Sequence, residues 1–316
     1  MNKHVFFLLI ITFFLGRISM AQNPFITHMY TADPSARVFD NRLYVYPSHD
    51  KDSATWWDME DYHVFSTTDM KNWKDHGKVL DLADITWAEK YAWAPDCVER
   101  NGKYYFYFPT DQFHIGVAVS DKPYGPFKDE LRKPLISKNS KGVVSDRDFI
   151  DPAAFIDDDG QAYLFMGQNT VNAIKLNEDM MSYDGEVHII EGANFFFEAA
   201  WVHKYQGIYY LSYSGKKQIH YAMSDNILGP YKYQGVILDT VNSGTNHHSI
   251  TEYKGKWYLF YHNADLAYKK FGNSLPKNIL QKRRSICVDY LEYNNDGTIK
   301  PVKQTKESVE QIKAKY

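Results

Sequence analysis

The chain has 316 residues, a formal net charge of −3 and an aromatic content of 16%. This length can bury a full hydrophobic core, and all-β chains of this size often form one domain. The small net charge, and the lack of a basic run interleaved with aromatic residues, argue against a nucleic acid partner. Cys97 and Cys287 lie in non-neighbouring repeats, so we expect free thiols, although export would permit a disulfide.

The N-terminus has the pattern of a cleavable export signal. Lys3 gives a positive start, and the nearly continuous apolar run over 5–15 is too short to span a bilayer. Small residues then precede a cleavage position at Ala21-Gln22. We therefore predict a signal peptide over 1–21, a secreted or periplasmic protein, and a single domain over 22–316 without a membrane span.

Five stretches of the remaining chain share one pattern, in which a two-residue turn leads into an aromatic-rich strand. The turns are Asn41-Arg42, Asn101-Gly102, Asp159-Gly160, Gln206-Gly207 and Lys254-Gly255. A repeat of roughly 40–50 residues with several strands per unit is typical of a β-propeller. We therefore predict an all-β fold, a five-bladed β-propeller with four-stranded blades.

The segments between these strands give weaker signals. Residues 81–91 predict a helical turn or two, and 130–147 is polar enough to be a long surface loop. The last unit departs from the pattern and predicts a hairpin that turns at 295–297. The charged tail after Lys303 predicts a short helix or disorder.

One register position of the repeat carries acids in three of the five units. Eight residues before the turns stand Asp33, Trp93, Asp151, Glu198 and Asn246, separated by 60, 58, 47 and 48 residues. The same position in every blade faces the central axis, so we expect these residues to begin the innermost strands and to meet at one pocket. Three converging acids indicate acid–base chemistry on a neutral polar substrate.

The local sequence suggests a role for each acid. Glu198 follows the aromatic run 195–197, which should desolvate its carboxyl group and raise its pKa, so it is the predicted general acid. Asp33 is the predicted general base, and Asp151 is predicted to orient or tune the acid. Both aspartates precede proline, a common structural turn pair, so either one alone would more often be structural. A non-catalytic carbohydrate-binding propeller is the alternative from another class.

Further residues are expected around the acids. We expect Trp93, Ile150, Asn246 and Arg284 to contact substrate, although Trp93 could equally be a core residue and Arg284 a surface residue. His247 is predicted to face the pore, where a calcium ion or a water molecule would lie beneath the site. No HxH or HExxH spacing is present, and the chemistry itself should require no cofactor.

As a group, several short motifs resemble glycoside hydrolase family 43. They are Ala32-Asp33-Pro34, Ala92-Trp93-Ala94-Pro95, the run from Cys97 to Lys103, Ile150-Asp151-Pro152, Thr245-Asn246-His247 and Arg284-Ser285-Ile286-Cys287-Val288. The resemblance covers about 25–302 and is nearest to the arabinofuranosidase and arabinoxylan-debranching branch.

The resemblance implies a five-bladed propeller and an inverting mechanism. It implies that Asp33 is the general base, Asp151 the pKa modulator and Glu198 the general acid, with His247 in the pore and Arg284 lining the site. One departure is that Ala199-Ala200 stand where the family usually has Gly-Pro.

We therefore expect an exo-acting α-L-arabinofuranosidase that removes side chains from plant polysaccharide or oligosaccharides. A β-D-xylosidase is the alternative within the same class. Inversion further predicts that the Asp33 and Glu198 carboxyl groups stand about 6.5–9.5 Å apart.

Overall fold

A computed structural model describes residues 22–313 of the chain. The predicted signal peptide and its cleavage position at Ala21 lie outside this range, and that prediction is not tested. Within it, five antiparallel sheets each consist of strands that follow one another along the chain. The all-β, five-bladed propeller is confirmed.

The first three blades have four strands each, as predicted. Blade one is β1 (Tyr30–Phe39), β2 (Arg42–Asp50), β3 (Asp61–Thr67) and β4 (Lys74–Asp81). Blade two is β5 (Asp96–Arg100), β6 (Lys103–Thr110), β7 (His114–Ser120) and β8 (Ile136–Ser137). Blade three is β9 (Ala153–Ile156), β10 (Ala162–Met166), β11 (Asn172–Leu176) and β12 (His188–Ile189).

The last two blades differ in strand number. Blade four is β13 (Glu198–Tyr205), β14 (Ile208–Gly215), β15 (Gln218–Ser224) and β16 (Lys232–Leu238). Blade five has only β17 (His248–Tyr253), β18 (Lys256–Asn263) and β19 (Ser285–Leu291). The innermost strands β1, β5, β9, β13 and β17 contact one another in that order, and β17 contacts β1, so the ring is closed.

The prediction of a fourth strand in blade five is wrong. After β19 the chain turns back only briefly, with one bridge between Tyr293 and Ile299 around the predicted hairpin turn. The N-terminal segment covers the free edge of β19 instead. The Phe25 N–H donates to the Ile286 carbonyl at 3.2 Å, and the Asn23 amide bonds both backbone groups of Val288. The segment before β1 thus joins the last blade to the first.

Few helices interrupt the strands. A 3₁₀ turn at Leu82–Asp84 agrees with the predicted helical turn, and 130–147 is irregular except for β8. The connection from β18 to β19 contains α1 (Asp265–Phe271) and α2 (Lys277–Leu280), which the sequence did not predict. No helix among the described residues is long and apolar enough to cross a membrane.

The tail does not form the helix that its sequence allowed. From 303 to 313 the described chain has no helix, and Val309 is buried beside Phe25 in the cluster between the last and first blades. The Ile312 N–H also donates to the Asp69 carbonyl of blade one at 2.9 Å. Both ends of the described chain therefore pack near the junction of blades five and one.

The aromatic residues of the repeat fill the spaces between blades. Separate buried clusters lie between each pair of neighbouring blades, such as that of Tyr46, Tyr62 and Phe106 between blades one and two. A fully buried phenylalanine such as Phe106 contributes roughly 1.5–3 kcal/mol through burial. The prediction of free thiols is confirmed, because Cys97 and Cys287 are both buried and unpaired.

Asp96, at the start of β5, ties three blades together close to the axis. Its carboxylate accepts hydrogen bonds from the Ser35 hydroxyl and Arg37 guanidinium of blade one and from the Ala154 N–H of blade three. The Arg37 guanidinium also lies 4.1 Å from the ring centroid of Trp201 in blade four. These contacts hold the innermost strands that carry the acids in a fixed relative position.

Candidate active site

A cavity of about 310 Å³ opens where the innermost strands begin. The sequence-predicted residues that line it are Asp33, Trp93, Ile150, Asp151, Glu198, His247 and Arg284. The structure thus brings the three acids together from blades one, three and four, as the shared register position predicts. The functional roles assigned to these residues remain predictions.

Irregular backbone aims the acids into the cavity. Asp33 lies at a bulge of β1 with φ of 50°, and Asp151 has φ of 59° just before β9. Glu198 begins a bulge of β13, and the next residue, Ala199, has φ of 63°. Aspartate tolerates this left-handed region, but for alanine it costs about 1 kcal/mol. Ala199 therefore adopts the conformation that glycine would take most easily, despite the departure noted in the sequence.

Two side-chain donors hold Asp33 as a carboxylate, and a third hydrogen bond fixes its backbone. Its Oδ1 accepts from Arg284 Nη1 at 2.8 Å, its Oδ2 accepts from the Ser48 hydroxyl at 2.6 Å, and its N–H donates to His262 Nδ1 at 3.0 Å. Burial, the largest single effect, would raise the pKa of Asp33, but the Arg284 guanidinium and the smaller contributions of the neighbouring His262 and His247 together outweigh it and hold that pKa below its usual range. An ionised carboxylate suits a general base.

Arg284 connects Asp33 to a second buried carboxylate. Its Nε and Nη2 donate to the two oxygens of Asp50 at 2.9 and 2.8 Å, while Nη1 reaches both Asp33 and the Thr245 hydroxyl. The Arg284 side chain is 2% exposed, so its planar fork is fully engaged and desolvated. The predicted surface alternative for Arg284 is wrong, and its place beside the site agrees with the prediction.

Asp151, which is buried, and Glu198, which is partly buried, form a pair of carboxyl groups whose pKa values shift in the opposite direction to that of Asp33. The Ala199 N–H donates to Asp151 Oδ2 at 2.9 Å, and the Gln168 amide donates to Glu198 Oε2 at 2.8 Å. Burial raises the pKa of Glu198 to about 7, against the opposing effect of the Gln168 hydrogen bond. Burial, together with the charges of Glu198 and Asp33, also raises the pKa of Asp151. The two groups titrate as a unit, and the second negative charge forms with difficulty.

The pair leads to a prediction for pH dependence. The variant Asp151→Asn removes one of the two charges, so the remaining carboxyl group of Glu198 should ionise more easily. The basic limb of the kcat/KM profile, expected near pH 7 in the native chain, should then move to lower pH. Initial rates measured from pH 4 to 9 check this. Asp146→Asn, a matched change at an exposed carboxylate that does not line the cavity, should leave the limb in place, and an equal shift in both variants would contradict the pairing.

His247 lies between the two aspartates without bonding to either. Its Nδ1 is 3.7 Å from Asp33 Oδ1 and 3.8 Å from Asp151 Oδ2. Burial lowers the pKa of His247 to about 4, so the ring is neutral at physiological pH. The predicted position near the axis agrees with this location.

A calcium ion at His247 stays a prediction. Calcium takes six to eight oxygen ligands at about 2.3–2.6 Å, whereas this side chain offers one imidazole nitrogen. The nearest carboxylate oxygens, on Asp33 and Asp151, already accept hydrogen bonds from Arg284 and Ala199. Water would therefore have to supply most ligands, and the chemistry proposed below uses no metal.

Aromatic side chains form one wall of the cavity. Trp93 lines it and also packs against the cluster between blades one and two, while its contact with substrate stays a prediction. Its Nε1 donates to the Trp57 carbonyl at 2.7 Å, and Tyr91 stacks on it at 5.0 Å between centroids. Trp56 and Trp57 extend the wall from the loop between β2 and β3. Such flat surfaces suit contact with a sugar ring.

Asn246 is the one predicted contact residue that the structure places away from the cavity. Its side chain is buried, and its amide donates to the Lys217 carbonyl at 3.3 Å. Thr245 and His247 on either side do line the cavity. Because neighbouring side chains in an extended segment point to opposite sides, Asn246 must point away from it. The repeat therefore predicted correctly that this segment borders the cavity, but not which of its side chains face it.

Sequence reasoning missed several residues of the site. Asp50, Ser48 and Gln168 hold the charged groups, and each bonds a residue elsewhere in the chain that its own sequence context does not reveal. The Trp56-Trp57 pair carried a usable signal, since adjacent tryptophans in a polar loop are unusual unless they contact something.

Comparison with known proteins agrees with this geometry. The family model described as Glycosyl hydrolases family 43 matches residues 21–299. The chain belongs to glycosyl hydrolase family 43. It is therefore a glycoside hydrolase, and the predicted family of arabinofuranosidase and xylosidase type is confirmed. The alternative of a non-catalytic propeller finds no support.

Individual relatives of this family-43 enzyme carry either or both activity names. It is 40% identical to a xylosidase/arabinosidase of Bacteroides ovatus, over 85% of this chain and 94% of that protein. It is 39% identical to a β-xylosidase of Xylanibacter ruminicola, over 87% and 97% of the two chains. A solved structure of an α-L-arabinofuranosidase from Clostridium thermocellum matches with a TM-score of 0.76 and 42% identity, covering 92% and 98% of the two chains.

Proposed function

We propose that this family-43 enzyme is an exo-acting, inverting α-L-arabinofuranosidase that removes side chains from arabinoxylan or related plant oligosaccharides. The observation that carries the proposal is the contrast between two carboxyl groups at one cavity. Asp33 has a lowered pKa beside Arg284, while burial raises the pKa of Glu198 to about 7. One ionised and one protonated carboxyl group are what an inverting glycosidase requires.

The proposed reaction is a single displacement. Asp33 takes a proton from a water molecule as the oxygen of that water forms a bond to the anomeric carbon of the sugar. Glu198 gives its proton to the glycosidic oxygen as the bond from that oxygen to the anomeric carbon breaks. Asp151 keeps the pKa of the acid high, and the positive charge that develops on the sugar faces a site rich in carboxylates.

The cavity size supports exo action on a small terminal sugar. At about 310 Å³ it lies at the lower end of the range for small-ligand pockets. The relative of 42% identity, named as an α-L-arabinofuranosidase, supports arabinose as the sugar. The β-xylosidase name of another relative favours D-xylose as the second candidate.

A panel of nitrophenyl glycosides of L-arabinofuranose, D-xylose and D-galactose tests the proposal. We expect the highest kcat/KM for the α-L-arabinofuranoside, and a higher value for the β-D-xyloside would replace the proposal by the second candidate. Proton NMR of the first product, recorded before mutarotation, should show β-L-arabinofuranose. Retained α configuration would contradict inversion and the role of Asp33 as base.

We also propose that the enzyme is exported and meets its substrate outside the cytoplasm. The charged start, apolar run and small residues of the first 21 positions support this. A mature N-terminus at Gln22 in protein recovered from the producing cell is the measurable consequence.

A further inference from the structure

A second group of potential ligands lies on blade one, outside the cavity. His49 of β2 and Asp61 and His63 of β3 each offer one ligand atom, and these atoms all lie within 4.8 Å of one another. In the part of the chain that the structure describes, no other three His, Cys, Asp or Glu side chains meet this condition. None of the three lines the catalytic cavity.

Strand geometry explains why the three side chains meet. Asp61 and His63 are two residues apart on β3, so their side chains leave the same face of the sheet. The pairing of Ser48 with Tyr62 brings the adjacent His49 beside them. The His49 Nδ1 lies 2.6 Å from Asp61 Oδ1, and the rings of His49 and His63 are 5.0 Å apart between centroids.

The group is incompletely satisfied without a ligand. The Nδ1 atom of His63 is buried and has no hydrogen-bond partner, and the nearest carboxylate oxygen, Asp75 Oδ1, is 3.8 Å away. A buried polar atom without a partner costs free energy and is a sign of a missing water molecule or ion. The side chains of His49, Asp61 and His63 are 24%, 22% and 15% exposed, so an ion could reach them from solvent.

The donor set decides which ion fits. Two imidazoles and one carboxylate are the ligands of open zinc sites, in which water takes the fourth position. Calcium and magnesium require mostly oxygen ligands, and one carboxylate supplies too few.

We propose that His49, Asp61 and His63 bind a zinc ion or a similar first-row transition metal ion on blade one. The ion links β2 to β3 directly beside the residues that hold Asp33 and Arg284, since Ser48 and Asp50 flank His49 in the chain. Its role is to fix the end of β2, and it takes no part in the hydrolysis itself.

Equilibrium dialysis of the tag-free protein against Zn²⁺, with metal analysis of both compartments, tests the proposal. We expect one tightly bound ion per chain. The variants His63→Gln and Asp61→Asn should each weaken its binding by more than about 100-fold, because loss of even an outer-shell partner costs about 10–100-fold. The control His188→Gln, at a histidine 4.0 Å from Glu186, should leave binding unchanged. An excess of Ca²⁺ or Mg²⁺ should not displace the ion.

Two further measurements keep the test decisive. Circular dichroism establishes that each variant is folded, and if His63→Gln does not fold, Asp61→Asn carries the comparison. The melting temperature of the native chain should rise with Zn²⁺, and that of Asp61→Asn should not. Absence of a stoichiometric ion, equal binding by the ligand and control variants, or displacement by Ca²⁺ would each overturn the proposal.

Discussion

The variant Asp33→Ala should lose activity toward every substrate by roughly 10²–10⁴-fold or more, because it lacks the proposed base that activates the attacking water. Asp33 has the features that a general base requires, since it lines the cavity and Arg284 keeps it ionised.

Glu198→Ala should behave differently. A natural glycoside needs its leaving oxygen protonated and should suffer a similarly severe loss, whereas a nitrophenolate leaves without a proton and should be affected much less.

The comparison requires steady-state kinetics of both variants on an aryl glycoside and on a natural oligosaccharide, under conditions where the chemical step limits the rate. Glu178→Gln is the matched control, since this exposed glutamate lies upstream of Glu198 and does not line the cavity. Equal losses on both substrates for Glu198→Ala would show that Glu198 is not the acid. Glu186 and Glu191 would then be the next residues to test.

The variant Arg284→Met should lower the free energy of unfolding by about 3–5 kcal/mol, the usual result of removing one partner from a buried ion pair. Arg284 donates to both Asp33 and Asp50, so the change leaves two carboxylates without their guanidinium. Urea denaturation at pH 7 measures the loss. Arg283→Met is the matched control, because the neighbouring guanidinium forms no ion pair within residues 22–313 and bonds the Ala54 carbonyl beside the Phe271 ring. Equal destabilisation by both variants would contradict this account.

The loss from Arg284→Met should also depend on pH. The folded-state pKa of Asp33 lies below its unfolded value of about 3.9, so the pair contributes its full stability above that pH. The contribution disappears as the pH falls through the folded-state pKa. The difference between native and variant proteins should therefore be constant at neutral pH and shrink below about pH 4. Adding Asp33→Asn and Asp50→Asn to Arg284→Met should recover part of the lost stability at pH 7.

The sequence predicted those parts of the structure that local patterns encode. A two-residue turn followed by an aromatic-rich strand occurs once in each blade. This repeat predicted the five-bladed ring and the convergence of Asp33, Asp151 and Glu198 from the sequence alone. The third strand of blade five lacks a following strand because the N-terminal segment covers its edge, and no local pattern reports that pairing.

Contacts between distant residues could not be read in this way. Asp50 and Arg284 are 234 residues apart, and the sequence around neither residue predicts that the two form an ion pair. The prediction that Asn246 lines the cavity was wrong for a different reason, since a shift of one residue in an extended segment reverses the direction of a side chain. The short helices α1 and α2 lie in a long connection where only a few residues are buried, so no periodic apolar pattern in the sequence predicts them.

The dependence of Asp33 on Arg284 has a consequence for the maturation of the enzyme. The guanidinium immediately precedes β19, among the last parts of the propeller to be synthesised, while its two carboxylate partners belong to the first blade. A nascent chain that has produced only four blades already carries all three acids, yet the environment that keeps Asp33 ionised does not exist. Hydrolytic competence should therefore arise only when the final blade docks on the first, which makes catalytic activity a direct report of completed assembly.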